Sequence, residues 1–324
     1  METIDFHTHI LSPRLLSKVK GRFGESNAGA AGLRRIKELR RQARSWARPM
    51  VDAVHGFQTL IRHFPDGAQA PLEGITELAG LPGLLIESTE GDLLEAMDQA
   101  DVRTALVMPH PRFLSNDEVL ELSKIHHRLL PVVSVGIEID HPAKMLKKYV
   151  EKGAIAVKID PHPARLQLDS RKYSSILKMA SDLEIPIILH TGCGYNGMLS
   201  HQRSGQIQQF EAWFKNYPHL NFILIQLNFS NPDIVYYLCD QYSNLYIETS
   251  GQPAEAIGEI ARRIGASRVL YGSNWPWIGD NLAITKKRVE LCEPMGLLNR
   301  EQIELILGGN AVKLLGLETN APSV

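Results

Sequence analysis

The sequence is poor in the features that mark secreted, membrane-spanning or nucleic-acid-binding proteins. Three cysteines, at positions 193, 239 and 292, show neither a disulfide framework nor a zinc-type spacing, which favours a reducing compartment. No run approaches the roughly 18 consecutive apolar residues of a membrane span, and the opening residues lack the pattern of a secretory signal. The net charge of −1 implies no polyelectrolyte partner. We therefore expect a cytoplasmic protein that binds neither a membrane nor nucleic acid.

What the sequence does contain, from about residue 84 onward, is an alternation of strand and helix patterns. The strand segments, such as "TALVM" and "NFILI", are nearly continuous in apolar residues, which is typical of parallel strands buried on both faces. Together with the opening "TIDFHTHI" they give eight strands, and this predicts a (β/α)8 TIM barrel. A doubly wound sheet is the alternative, but no glycine-rich phosphate loop follows the first strand. We expect residues 1–324 to form a single domain.

Positive charge is concentrated between the first strand and the first barrel helix. From Arg14 to Arg62 there are twelve Lys and Arg but three Asp and Glu. Apolar residues recur there at helical spacing, namely Ile36, Leu39, Ala43, Trp46, Met50, Val54, Phe57 and Ile61. One interpretation is a helix with a solvated basic face, and the other is a lid or dimer element that attracts an anionic substrate. We expect the inserted segment 12–88 to cover the barrel mouth or a subunit contact.

Histidines fall at the predicted strand ends, where barrels of this kind carry their active sites. The first strand ends in His7-Thr8-His9, and the two-residue period of a strand points both imidazoles the same way. The fifth strand ends in His190. Three neutral imidazoles can hold a divalent metal such as zinc and leave a position open for water. The alternative is that the histidines only satisfy a buried polar environment.

Seven segments together carry a resemblance to a known family. They are "DFHTHI", "AVKIDP", "IPIILHTG", "NFILIQLNFSNP", "LYIETSG", "RVLYGSNWP" and "ILGGNAVKLLGL". The chain resembles the amidohydrolase-2 group of the amidohydrolase superfamily, which includes aminocarboxymuconate-semialdehyde and resorcylate-type decarboxylases and hydrolases of lactones and related carboxylated substrates. The resemblance implies that His7, His9 and His190 bind the metal, and that the barrel pairs as a homodimer.

The chain departs from that family at two positions. The family's strand-six motif has a histidine that acts in proton transfer, and here the residue is Gln226. The family's strand-eight aspartate binds the metal and relays a proton, and here the residue is Asn274 in "YGSNWP". Neither amide titrates, so neither can act as a general acid or base. We expect Asn274 to be a weak fourth ligand or a hydrogen-bond donor to substrate, and Gln226 to be an orienting group.

Replacements for the missing acid and base lie near other strand ends. Asp160 follows the fourth strand and Glu248 lies at the end of the seventh, and either carboxylate could act as the base or serve as a structural acid. We expect four side chains to contact the substrate: Lys158, His162, Arg165 and Trp275.

These residues predict a metal-assisted hydrolase or a carbon–carbon bond-cleaving enzyme of the decarboxylase type. Its substrate would be a small carboxylated organic molecule, and its cofactor a divalent metal, with zinc as the first expectation. Two alternatives remain: a catalytically silent barrel that binds a ligand or a partner, and a metal-independent cyclase or isomerase.

Overall fold

A computed structural model describes residues 2–10, 89–110, 114–159, 171–190, 207–228, 232–276 and 282–317. The basic segment 12–88, expected to be a lid or a subunit contact, lies outside these ranges, as do Asp160, His162 and Arg165. Eight strands form one sheet in chain order, and each strand pairs in parallel with the next. They are β1 (Ile4–His9), β2 (Thr104–Met108), β3 (Leu129–Ser134), β4 (Ala156–Ile159), β5 (Ile187–Leu189), β6 (Phe222–Leu224), β7 (Leu245–Glu248) and β8 (Val269–Leu270).

Helices occupy the connections between these strands and the chain that follows β8. They are α1 (Glu90–Ala100), α2 (Asn116–Ile125), α3 (Pro142–Glu151), α4 (Arg171–Asp182), α5 (Glu211–Asn216), α6 (Pro232–Gln241), α7 (Ala254–Ile264), α8 (Leu282–Leu291), α9 (Arg300–Glu304) and α10 (Asn310–Leu315). Short 3₁₀ segments cover Ile207–Phe210, Ile225–Asn228 and Ala266–Arg268, and a π-helical turn covers Leu305–Gly309. Among the described helices, none combines the length and the hydropathy of a membrane span.

The sheet closes where the chain after β8 runs beside β1. The N–H of Phe6 donates to the carbonyl of Tyr271 at 2.9 Å, that of Asn274 to His7 at 2.8 Å, and that of His9 to Trp275 at 2.7 Å. These bonds join the last strand to the first, so the prediction of a (β/α)8 barrel is confirmed.

Two element boundaries differ from the sequence prediction. The pattern "SNDEVLELSKIHHRLL" predicts a helix to residue 130, but α2 ends at Ile125, and Leu129 and Leu130 begin β3. Leu129 is buried beside Ala105 of β2, and this long-range packing decides the conformation. The apolar run "NFILIQLN" predicts a strand to residue 228, but β6 ends at Leu224 because the backbone turns into the 3₁₀ segment.

The interior of the barrel is an apolar cluster that supports the site from below. Its buried members are Ile4, Phe6, Leu106, Met108, Val132, Ala156, Ile188, Ile223, Ile225, Leu270 and Ala311. Because side chains alternate along a strand, the interior position of Ala156 places Lys158 on the same side of β4. The interior position of Ile188 likewise places His190 on the inner side at the end of β5. Polar side chains therefore gather in one layer above this core.

Candidate active site

The site is centred on the imidazole pair His7 and His9, which lies at the carboxyl end of β1. The pairing of β1 with β2 shifts register between Asp5 and Thr8. The two rings meet edge to face with their centroids 5.1 Å apart, and their Nε2 atoms are 3.2 Å apart. Both side chains are buried. The strand end thus aims two imidazole nitrogens at one point.

The hydrogen bond made by the far nitrogen of His9 defines the protonation of that ring. His9 Nδ1 lies 3.3 Å from the carbonyl oxygen of Met108. A carbonyl can only accept, so the Nδ1 atom carries the hydrogen and donates it. In the neutral ring the Nε2 atom then has a lone pair, and that lone pair faces His7.

Glu248, at the end of β7, holds the far nitrogen of His7. Its Oε2 atom lies 3.0 Å from His7 Nδ1. The same oxygen accepts from the N–H of Gln226 at 3.1 Å and from Ser250 Oγ at 2.8 Å, and Oε1 accepts from the N–H of Ser250. A carboxylate surrounded by donors is in its acceptor form, so His7 Nδ1 donates. A Cβ added at Gly272 would overlap the Glu248 carboxylate, so glycine leaves the space that it needs.

Burial keeps both imidazoles neutral. Desolvation lowers the pKa of His7, although the hydrogen bond that His7 donates to Glu248 opposes this effect, and the charges of Lys158 and His190 lower the pKa further. Desolvation also lowers the pKa of His9 well below its ordinary value, with the charge of His7 and then that of Lys158 adding to the effect. The neutral imidazole is the form that binds metals.

The imidazole pair fits two corners of a metal site. A tetrahedral ion with metal–nitrogen bonds of about 2.0–2.1 Å places two ligand nitrogens about 3.3 Å apart, close to the observed separation. The outer nitrogens donate to a carboxylate and to a backbone carbonyl, the usual support of metal-ligating histidines. Within the described ranges, however, no group of three or more His, Cys, Asp or Glu side chains is arranged to hold a metal. His190 lies on the inner side after β5, and its N–H donates to the carbonyl of Ile159 at 3.3 Å.

Gln226 and Asn274 contribute to the site through their backbones. Both have left-handed conformations, with φ of 60° and 54° respectively. The N–H of Gln226 donates to Glu248, and the N–H of Asn274 donates to the carbonyl of His7. The Gln252 side chain in turn donates to the carbonyl of Gln226 at 3.1 Å. The sequence predicts side-chain roles at these positions and does not predict the backbone bonds, although asparagine is one of the residues that tolerates a positive φ.

The other two described candidates, Lys158 and Trp275, lie in different layers of the barrel. Lys158 is 5% exposed on the inner side of β4. Trp275 is fully buried in the layer between strands and helices, and its N–H donates to Ser273 Oγ at 3.0 Å.

Asp5, which sequence reasoning also missed, lies beneath the imidazole pair. Its Oδ1 atom accepts from the N–H of His7 and of Ser273, both at 3.0 Å, and so joins β1 to the chain after β8. Its Oδ2 atom is buried and accepts no hydrogen bond from the described residues. Burial raises the pKa of Asp5 to about 7. The two-residue spacing from His7 in "DFHTHI" was the available signal.

The structure is a (β/α)8 barrel with a histidine pair at the end of its first strand, and comparison with known proteins gives the family. The Amidohydro_2 family model, described as amidohydrolase, matches residues 4–317. The chain belongs to this amidohydrolase family. Comparison with curated proteins gives no significant match.

Solved structures share the fold across nearly the whole chain. An uncharacterised TIM-barrel protein from Bordetella bronchiseptica has a TM-score of 0.66 at 18% identity, covering 98% of this chain and 99% of that one. A 5-carboxyvanillate decarboxylase from Sphingomonas paucimobilis has a TM-score of 0.62 at 12% identity, covering 98% and 99%. A second 5-carboxyvanillate decarboxylase, a single-site mutant of the Novosphingobium aromaticivorans protein with manganese and 3-methoxy-4-hydroxy-5-nitrobenzoic acid bound, has a TM-score of 0.60 at 16% identity, covering 98% and 97%.

Proposed function

We propose that the protein is a metal-assisted enzyme, a hydrolase or a decarboxylase, that acts on a small carboxylated organic molecule. The observation that carries this proposal is the 3.2 Å separation between the Nε2 atoms of His7 and His9. The outer nitrogens of both rings donate hydrogen bonds, so two lone pairs face each other at this distance. A cation that contacts both lone pairs fits this separation.

A proton could supply that cation, but the environment disfavours it. Burial lowers the pKa of His7 and of His9, so at neutral pH the protonated pair is the less populated form. A divalent ion avoids this penalty because neutral imidazoles are its preferred nitrogen ligands. Such an ion supplies a Lewis acid that polarises a substrate oxygen or a water molecule. We place His7 and His9 as ligands and His190 as the third, while Asn274 offers a neutral amide beside them.

The expected substrate follows from the charges that line the inner layer. Lys158 brings an ammonium group into a buried position close enough to affect both imidazoles. A carboxylate is the anionic group that such a cation recognises in a small organic molecule. The family neighbours named for 5-carboxyvanillate act on a carboxylated compound, which supports this substrate class for the present chain. Arg165 and His162 are further candidates for contact with the substrate.

An activity assay tests this proposal. Zinc- or manganese-loaded protein is offered a hydroxylated aromatic carboxylate and a carboxylated lactone, with carbon dioxide release and ring opening measured separately. We expect turnover of one class, abolished by a chelator and restored by metal, and reduced about 100-fold or more in His9→Ala. Full activity after complete metal removal would contradict the proposal. Glu2→Gln is the control, because Glu2 lies at the opposite end of β1.

A second candidate function is a barrel that binds a ligand or partner, or acts as a cyclase or isomerase, without metal. The observation that favours it is the pair of non-titrating amides, Gln226 and Asn274, where the family resemblance places a histidine and an aspartate. Metal content of protein purified without chelators separates the two functions.

The identity of the metal, the location of the protein and its oligomeric state are proposed as well. We propose zinc as the ion because histidine nitrogens suit it. A cytoplasmic location is supported by the scarcity of cysteine. A homodimer is supported by the apolar stripe within segment 12–88, which is too extensive to be left in water.

A further inference from the structure

We infer that Glu248 is a positioning residue that fixes the tautomer and orientation of His7, and that it is itself held by the backbones of Gln226 and Ser250. This inference rests on the proposed function, since it explains how the protein presents His7 Nε2 to a metal. It gives Glu248 a role different from that of a general base. It also explains how the site keeps its geometry with amides at positions 226 and 274.

The burial of Glu248 argues for this role. The residue is 0% exposed, and its carboxylate lies on the Nδ1 side of His7, away from the point at which the two Nε2 atoms meet. A base that removes a proton from substrate or water has to reach that proton directly. Glu248 reaches the ring of His7 instead, where it can hold the hydrogen on Nδ1 and leave the Nε2 lone pair available.

The surroundings of Glu248 fix its carboxylate in place. His7 Nδ1, the N–H of Gln226 and the hydroxyl of Ser250 all donate to Oε2, while the N–H of Ser250 donates to Oε1. The two N–H groups belong to the backbone, and Gly272 leaves room for the carboxylate. The carboxylate therefore cannot rotate without losing several hydrogen bonds, and so its direction toward His7 is set.

Residue 226 supports the site through its backbone N–H, which donates to Glu248. Gln226 lies just after β6 with a φ of 60°, a strained conformation for a glutamine. That conformation aims its N–H at Glu248, and the side chain of Gln252 secures its carbonyl. Support for His7 therefore does not depend on a histidine at this position. On the other side, the N–H of Asn274 holds the backbone of His7 in the same way.

Glu248→Gln tests the inference, with Glu2→Gln as the matched control. An amide can accept at one terminal atom only, so it conflicts with donors that converge on both oxygens. We expect zinc affinity, measured by competition titration, to fall 10- to 100-fold in Glu248→Gln and to stay unchanged in Glu2→Gln, which alters a glutamate bound to Thr104 and Arg103. Equal zinc affinity in wild type and Glu248→Gln would overturn the inference.

A second readout uses the metal-free protein and so separates this inference from the proposed function. Long-range ¹H–¹⁵N spectra of ¹⁵N-histidine-labelled protein report the tautomer of each ring. We expect His7 to carry its hydrogen on Nδ1 in wild type and to lose that preference in Glu248→Ala, which removes the acceptor of that hydrogen. If wild type binds no metal, the proposed function fails, and the spectra alone then decide the role of Glu248. An unchanged His7 tautomer in Glu248→Ala would overturn that role.

Ser250→Ala covers the case in which Glu248→Gln does not fold. This change removes one hydroxyl donor to Oε2 and leaves the carboxylate and the backbone bonds in place. We expect a several-fold loss of zinc affinity in the same direction, with a circular dichroism spectrum like that of wild type. A folded Ser250→Ala protein with unchanged affinity and an unchanged His7 tautomer would contradict the inference.

Discussion

At the residue scale, the site depends on two amides that use their backbones. Gln226 and Asn274 both lie in the left-handed region, where an ordinary L-residue costs about 1–2 kcal/mol. Asparagine, aspartate and histidine tolerate this region best. Because the N–H groups of both residues hold His7 or its partner Glu248, the side chains can change without moving the imidazole pair.

Because these side chains can change without moving the imidazole pair, the double variant Asn274→Asp with Gln226→His should keep the site assembled. Aspartate adds a negative charge beside the proposed ion, and both new residues tolerate the left-handed backbone. We expect zinc affinity to rise about tenfold, hydrolysis of simple lactones or esters to appear or increase, and the melting temperature to change little. Competition titration and a pH–rate profile measure the two effects.

Single variants show which side chain causes the gain in zinc affinity. We expect most of the gain in affinity from Asn274→Asp, and we expect Asn274→Ser, which adds no charge, to show none. The account of the amides would be wrong if wild type already bound zinc as tightly as the double variant and hydrolysed these compounds with a normal basic limb near neutral pH. Another group, such as Asp160, would then be the base.

At this scale, the sequence predicts which side chains meet in the site but not which backbone groups hold them. The alternation of a strand was enough to bring His7 and His9 together, and "YIETSG" drew attention to Glu248 at a strand end. The left-handed turns at Gln226 and Asn274 depend on how the ends of β6 and β8 meet the rest of the barrel. The sequence therefore predicts only side-chain roles for both residues.

At the scale of elements, the local sequence predicts where a helix starts but not where a strand begins or ends. The Thr89–Asp92 spacing predicts a capping box, and the structure confirms it: the N–H of Asp92 donates to Thr89 Oγ1 and the N–H of Thr89 donates to Asp92 Oδ2, both at 3.1 Å. In contrast, the switch from helix to strand between Ile125 and Leu129 depends on contacts with β2, which no local pattern contains.

Removing this cap should weaken α1 measurably. Thr89 is buried and Asp92 half-buried, and Thr89→Ala removes the oxygen to which the N–H of Asp92 donates, so we expect a loss of about 1 kcal/mol in the free energy of unfolding. Thr89→Ser keeps the oxygen and should stay within a few tenths of a kcal/mol of wild type. Urea denaturation measures both. Equal losses in the two variants would show that the methyl group, and not the hydrogen bond, is what stabilises the helix.

At the scale of the whole molecule, the site exists only when the barrel is closed. His7 lies on the first strand, Glu248 lies on the seventh, and Asn274 follows the eighth. The bonds from Asn274 to His7 and from Ser273 to Asp5 join the two ends of the sheet. Assembly of the site and closure of the barrel are therefore one event, so a folded core implies an assembled imidazole pair.

The buried cysteines report on that folded core. Burial raises the pKa of Cys239 to about 12 and that of Cys292 to about 11. Because a raised pKa favours the thiol, the thiolate fraction at pH 8 drops from about one in four for a free cysteine to about one in a thousand or less. We expect iodoacetamide to label neither residue in native protein at pH 8, and both in denaturant, as read by peptide mapping. Rapid labelling of the native protein would show that the packing around these thiols opens readily.

Metal binding by the imidazole pair is the central claim, and metal stoichiometry tests it most directly. Protein prepared without chelators is analysed for metal content and then titrated with zinc, beside His9→Ala and the distant control Glu2→Gln. The account predicts about one ion per chain in wild type and in the control, with zinc affinity at least 100-fold weaker in His9→Ala. Wild-type protein that holds no more metal than His9→Ala, and binds zinc no more tightly, would contradict it.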